Sequence, residues 1–385
     1  MATSETEQIH REVIVIDAHA DIELPDKPSP YCGRDGRSKV APDKMAAGGV
    51  DCTVMSVAVG PGPRDEKGVA SARRLADRKL AAALALAADD PDLDLAVTAA
   101  DVRSAHAAGR RSILLGWQNT QIVGTDVDAI ADFHTAGCRI FALTHIGHNE
   151  FADSSRPNFN GATGEHEPRE EHGGLSTLGR EAIVRINRFG GVVDVSQLTE
   201  NGTLQVLEIS DAPVIASHSN ARARCDVSRN LTDREIDGIA AGGGVVCVTP
   251  FLGYLFDSTD DALVANVRAA RVEAGLPADY LYPFELYWEL PDLDERNEFL
   301  RTVRGHLGKA TVETMVDHVD HVVDRVGIDH VGIGTDFNHG GGISGYQEAH
   351  DALNVTEALV GRGYSHDAVA AIWGENVLRV VDAVA

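Results

Sequence analysis

Lysine is scarce in this 385-residue chain, supplying only six of its 34 basic side chains against 59 acidic ones, for a formal charge of -25. A field of that sign repels phosphodiester backbones and anionic lipid, which argues against nucleic acid and membrane surfaces as partners. The acidic residues are spread through the chain rather than gathered in a tail. An acidic, lysine-poor surface of this kind fits a halophilic protein, in which salt screens the self-repulsion and hydrated carboxylates keep the chain dissolved. Cysteine is sparse as well. Cys32, Cys52, Cys138, Cys225 and Cys247 are odd in number, widely spaced and free of any Cys-x-x-Cys pair, so neither a disulfide framework nor a cysteine zinc site is expected. Three of them lie in or beside apolar runs and are expected to pack as small buried hydrophobes. Apolar runs of membrane-spanning length are missing, and residues 1–11 are polar with no apolar signal segment, so the expected location is the cytoplasm. Low-complexity linkers and internal repeats are also missing, which leaves one domain over 1–385 as the economical organisation.

What recurs instead is a short apolar, β-branched run followed by a helical pattern. Eight such runs are present, at 13–17, 52–59, 112–116, 139–144, 191–195, 213–217, 244–248 and 331–335. Between them lie helix-like stretches such as 70–88, rich in Ala and Leu, and 176–189, which is amphipathic. Eight alternating units predict an α/β fold of the TIM-like (β/α)₈ barrel type. Two connections exceed ordinary loop length, 22–44 after the first strand and 251–304 after the seventh. Both are expected on the catalytic face. The second, an insertion carrying Tyr280, Tyr282, Phe284, Tyr287 and Trp288, is read either as a lid or wall of a substrate pocket or as helix packing on the barrel.

The strand ends carry the chemistry. The first delivers His19 and Asp21, an imidazole and a carboxylate two residues apart and therefore on one face of a strand. The third ends at Gln118, the fourth at His145, the fifth at Ser196 and Gln197, the sixth at His218 and the eighth at Asp336. Imidazoles and carboxylates gathered at the C-terminal face of a barrel form, by type, a hydrolytic metal site suited to Zn²⁺ with water in an open position. His148, His166 and His172 fall in a polar loop and read as solvated or capping residues. His318 and His321 read as surface residues of the helix before the last strand, and His339 as a residue lining the pocket.

The ordered set Asp17-Ala-His-Ala-Asp21, Gly48-Gly-Val-Asp51, Leu143-Thr-His145, Gly174-Leu-Ser-Thr-Leu-Gly-Arg-Glu181, Asn187-Arg-Phe-Gly190, Asp194-Val-Ser196, Pro213-Val-Ile-Ala-Ser-His218, Arg229-Asn230, Gly332-Ile-Gly-Thr-Asp336 and Gly374-Glu-Asn376 resembles the renal or membrane dipeptidases of the amidohydrolase superfamily over nearly the whole chain. The resemblance implies a zinc-dependent hydrolase of dipeptides. It implies His19 and Asp21 on a first metal, His218 on a second, and His145 in contact with substrate and intermediate. It also implies Arg229 on the substrate carboxylate and Asp336 handling the proton of the attacking water. Family members are often homodimers, and that expectation comes with the resemblance. Two positions depart from the pattern: the family usually has a bridging Glu where Gln118 stands and a zinc-binding His where Gln197 stands. An amide offers one neutral oxygen in place of two anionic ones, and each change weakens the same second site. One zinc ion is therefore expected rather than two, held by His19, Asp21 and either His218 or Asp336, with Gln118 a weak ligand and His339 the best compensating one. Two other readings stay open. One is a single-metal hydrolase of non-peptide amides or lactones, and the other is a binding protein without catalysis on the same barrel.

Overall fold

The computed structural model describes residues 5–160, 165–287, 290 and 292–385. Eight parallel strands run in chain order around one sheet: β1 Ile16–Asp21, β2 Cys52–Ala58, β3 Arg111–Gln118, β4 Cys138–Ala142, β5 Val192–Asp194, β6 Ile215–Ala216, β7 Val245–Val248 and β8 Val331–Ile333. The circle is closed by a bridge from Ala20 to Phe337, where Asp21 N donates to Phe337 O at 2.9 Å. All eight predicted runs are strands. A further short strand, Leu93–Leu95, pairs with the start of β3 outside the circle.

Parallel strands covered on both faces must be apolar on both, and alternation sorts the residues into two cores. Ile16, Ala18, Cys52, Val54, Leu114, Ile140, Ile215, Val245 and Cys247 fill the barrel with Val377, Leu378 and Val381 of the helix Asn376–Asp382. The alternate set, including Met55, Val57, Ile113, Leu115, Phe141 and Val246, meets the surrounding helices. Those helices start where their sequence says they should. Ser176 caps Thr177–Arg188 by accepting from Gly179 N, and Asp65 caps Glu66–Asp89 by accepting from Gly68 N. All five cysteines are free, and four of them are buried. No helix among the described residues is long and apolar enough to cross a membrane.

One irregularity aims the first strand end. Asp17 pairs with Thr53 but Ala20 with Met55, so β1 holds one residue more than β2 across this stretch. Such a bulge shifts the alternation by one. Below it the inward residues are Ile16 and Ala18; above it Asp21 stands opposite Ser56, the inward parity of β2, and His19 shares its side. Sequence reading ended this strand at Asp17, whereas the two polar residues belong to the strand itself.

The 251–304 segment builds a small core of its own. The helices Asp261–Glu273 and Leu293–Leu307 enclose Phe251, Tyr254, Leu276, Tyr282, Phe284, Phe299 and Val303. The Tyr31 hydroxyl lies 2.5 Å from that of Tyr287, so the two long connections meet over the barrel mouth. Trp288 lies outside the described residues.

Candidate metal centre

His19 from β1, His218 just after β6 and Asp336 just after β8 each present a ligand-type atom, all within 4.8 Å of one another and all buried. The two imidazoles are stacked, with centroids 3.8 Å apart. Their orientation is fixed from behind. Ser217 Oγ donates to Asp194 Oδ2 at 2.5 Å and lies 2.7 Å from His218 Nδ1 and 3.3 Å from His19 Nδ1. The hydroxyl has a single hydrogen, and the carboxylate takes it. The serine oxygen is therefore the acceptor for Nδ1–H, which leaves Nε2 with the lone pair, the form in which imidazole binds a metal. Asp194 also accepts from Ser196 N and Ser217 N. Asp17 does the same work between β1 and β8, accepting from Thr335 N, Thr335 Oγ1 and His19 N; burial pushes its carboxyl up to about 6 against those bonds.

The backbone at these strand ends is held away from its resting conformations. Asn119, Gln197, Asp336 and Asn338 all have positive φ, between 52° and 87°, and each follows a barrel strand. Gly334 allows the last of these turns to form, because a Cβ there would stand 1.9 Å from Ser217 O.

Asp21 lies beside the trio. One carboxylate oxygen is 3.7 Å from His19 Nε2; the other faces His339 Nδ1 at 3.4 Å and Lys79 Nζ at 3.7 Å. Lys79, on the helix Glu66–Asp89, carries no signal in the sequence that would place it here. Gln118 ends β3, on the inward parity of Leu114, and Gln197 Nε2 lies 3.3 Å from His218 Nε2. His145 packs edge-on against His339 at 4.6 Å, and His339 lines the neighbouring cavity. Arg229 is buried; it donates to Ser219 Oγ at 3.0 Å and His218 O at 2.8 Å and stacks on Tyr254.

Charge and burial oppose each other here. Burial holds the His218 and His145 imidazoles well below their ordinary pKa, so both are neutral, while His19 is raised by Asp21, Asp336 and Asp194 against its burial. Burial raises the Asp336 carboxyl, with His339 and His19 opposing. His19 Nε2, Asp21 Oδ1, Asp336 Oδ2, Gln197 Oε1 and both amide atoms of Gln118 are buried with no hydrogen-bond partner among the described residues. Each such group costs about 1–3 kcal/mol when nothing engages it. Imidazole nitrogens and hard carboxylate oxygens converging on one point fit a divalent cation of the zinc type.

One histidine reading changes and another is narrowed to one of its two alternatives. His318 is not on the surface but 2% exposed, its Nδ1 accepting from Ala221 N at 3.1 Å. Its place was legible in helical spacing, three residues from Met315 and four from Val322, both fully buried on the same helix. His148 is buried in its loop, where its ring accepts from Ser154 N and bonds Pro168 O, a capping role.

The sequence pattern of the membrane dipeptidases, peptidase family M19, matches residues 3–385. The chain belongs to that family. Among solved structures it is similar to the probable dipeptidase PvdM from Pseudomonas aeruginosa, at 30% identity and a TM-score of 0.85, over 98% of this chain and 97% of that one. The fold is shared with a metallopeptidase from Rhodobacter sphaeroides liganded with a phosphinate mimic of a dipeptide, at 22% identity and a TM-score of 0.72, over 97% and 99% of the two chains. Among curated proteins it is 30% identical to dipeptidase aclJ of Aspergillus oryzae, over 72% of this chain and 52% of that protein. It thus spans about half the length of that curated relative. The closed barrel of this M19 chain is the fold that the resemblance implied.

Proposed function

We propose that this M19 chain hydrolyses dipeptides with one zinc ion, held by His19, His218 and Asp336 with Asp21 beside them. The observation that carries the reading is the convergence of these three buried side chains, with both imidazoles turned by Ser217 so that Nε2 faces inward. A second cation is poorly provided for. The amide of Gln197 faces His218, and the free oxygen of Asp21 already faces Lys79 and His339. When bound, zinc supplies Lewis acidity, polarising an amide carbonyl and lowering the pKa of a coordinated water to about 7.

The chain's own residues do the rest. Asp336 takes a proton at Oδ2 from the attacking water and passes it to the leaving amine. His145, neutral and buried, offers its ring N–H to the carbonyl oxygen as negative charge develops there. Arg229, whose Nε has no partner among the described residues, receives the terminal carboxylate of the substrate. Tyr31 and Tyr287 join the two connections above the site and restrict the entry of water.

The test pairs elemental mass spectrometry of protein supplied with zinc with turnover of dipeptides, N-acyl amino acids and lactones. About one zinc per chain, with dipeptide hydrolysis that a chelator abolishes, is the expected result. Turnover confined to lactones or N-acyl amides would replace the substrate class, and absence of both zinc and turnover would leave a binding protein.

A further inference from the structure

A cavity of about 450 Å³ opens beside His339, between the two long connections. Its charge runs against that of the chain. Acidic side chains outnumber basic ones 59 to 34 overall, yet the cavity wall contains Lys39, Arg156, Arg304 and His339 and, among the described residues, no Asp or Glu. Arg156 is 6% exposed and pairs with no carboxylate among the described residues. Its guanidinium stacks over Tyr282 at 4.7 Å and, among the described residues, reaches the Tyr254 hydroxyl alone, at 3.4 Å. A guanidinium withdrawn from water without a directly paired carboxylate is free to take one, and this one is held rigid by an aromatic face at the wall of a cavity. Arg304, exposed on its helix, also lies over an aromatic ring of the wall, Phe284 at 5.8 Å. Arg156 and Arg229 also meet the same tyrosine, Tyr254, from its hydroxyl and its ring face. An anion bound at one is therefore near the other.

We infer that this cavity is a subsite for an anionic side chain, so that the preferred dipeptide carries a carboxylate in addition to the terminal one, with Arg156 as its principal partner and Arg304 and Lys39 supporting it. The inference names the substrate class of the site proposed above and rests on that reading for its activity, though not for its binding. Neutral apolar side chains find an aromatic wall in the cavity but leave Arg156 unpaired. A carboxylate satisfies its fork directly.

The experiment compares Ala-Glu with Ala-Gln and Glu-Ala with Gln-Ala, pairs that differ by one charge at nearly constant shape. Charge-assisted hydrogen bonds of this kind predict a preference for at least one acidic member of roughly ten- to a hundredfold in kcat/KM. In Arg156→Gln the acid-to-amide ratio falls towards one. Arg304→Gln, at an exposed position that does not endanger folding, lowers the same ratio by a smaller factor. Calorimetric binding of the same peptides to chelator-treated protein reads the subsite without turnover. If no dipeptide is hydrolysed but the acidic member binds more tightly and Arg156→Gln removes the difference, the activity reading fails and the subsite stands. Equal kcat/KM and equal binding within both pairs, or a ratio unchanged in both variants, overturns the subsite.

Discussion

Ser217 Oγ lies 2.7 Å from His218 Nδ1, and because its only hydrogen is spent on Asp194 it receives the imidazole proton rather than supplying one. The arrangement makes Ser217 a positioning residue for both histidines of the centre. Ser217→Ala leaves the Asp194 bond to the backbone of residue 217 in place but removes the acceptor for both Nδ1 protons. Loss of an outer partner of this kind is expected to weaken zinc binding by about 10–100-fold. Competition with a chromophoric chelator reads this directly, and Ser217→Thr, which keeps the hydroxyl, restores the affinity.

Asp336 is both a neighbour of the two imidazoles and the base of the proposed reaction. Asp336→Asn keeps an oxygen donor at the same place and loses the proton acceptor, so in protein saturated with zinc kcat falls by on the order of 10²–10⁴, while the neutral amide holds the ion more weakly than the carboxylate. Unchanged turnover would remove Asp336 from the proton transfer. Loss of activity that saturating zinc restores in full would make it a ligand only.

The barrel was legible because its strands are short β-branched runs buried on both faces, and because His19, Asp21, His145, His218 and Asp336 stand where such runs end. What the one-dimensional pattern does not contain is the register between strands. The extra residue between Asp17 and Ala20 that turns His19 and Asp21 inward is a property of the β1–β2 pairing, not of β1 alone. Arg156 and Lys79 were missed for a related reason. Each reaches the site from an element whose own sequence looks like a loop or a surface helix, and only the closed barrel brings them there. His318 differs, since helical spacing placed it on the buried stripe.

The two glutamines make a prediction about metal number. In Gln118→Glu, Gln197→His the first change supplies an anionic oxygen at the inward end of β3. The second supplies an imidazole at a backbone φ of 70°, a conformation in which histidine is among the more tolerated residues. Zinc content measured by elemental mass spectrometry should rise from about one ion per chain to about two. No increase in the folded double variant would show that Lys79 and His339, facing Asp21, exclude a second ion whatever ligands are offered.

His318 predicts how stability responds to acid. Burial, with Arg224 and His321 pushing the same way, lowers its pKa from 6.5 to about 3, and its neutral Nδ1 accepts the Ala221 N–H that follows the His218 strand end. The folded pKa lies below that of the unfolded chain, so on acidification the unfolded chain binds the proton first. The contribution is complete above about pH 6.5 and is lost as pH falls towards 3, at up to about 1.4 kcal/mol per pH unit from this one group. Urea unfolding at several pH values between 7 and 4 should show that slope, and His318→Gln, which retains an acceptor but does not titrate, should flatten it at the cost of some stability at pH 7. Parallel slopes for parent and variant would mean that the acid sensitivity arises elsewhere. A flattened slope would assign the acid sensitivity to this imidazole, kept neutral in the fold where it accepts from Ala221 N beside the strand end that carries His218.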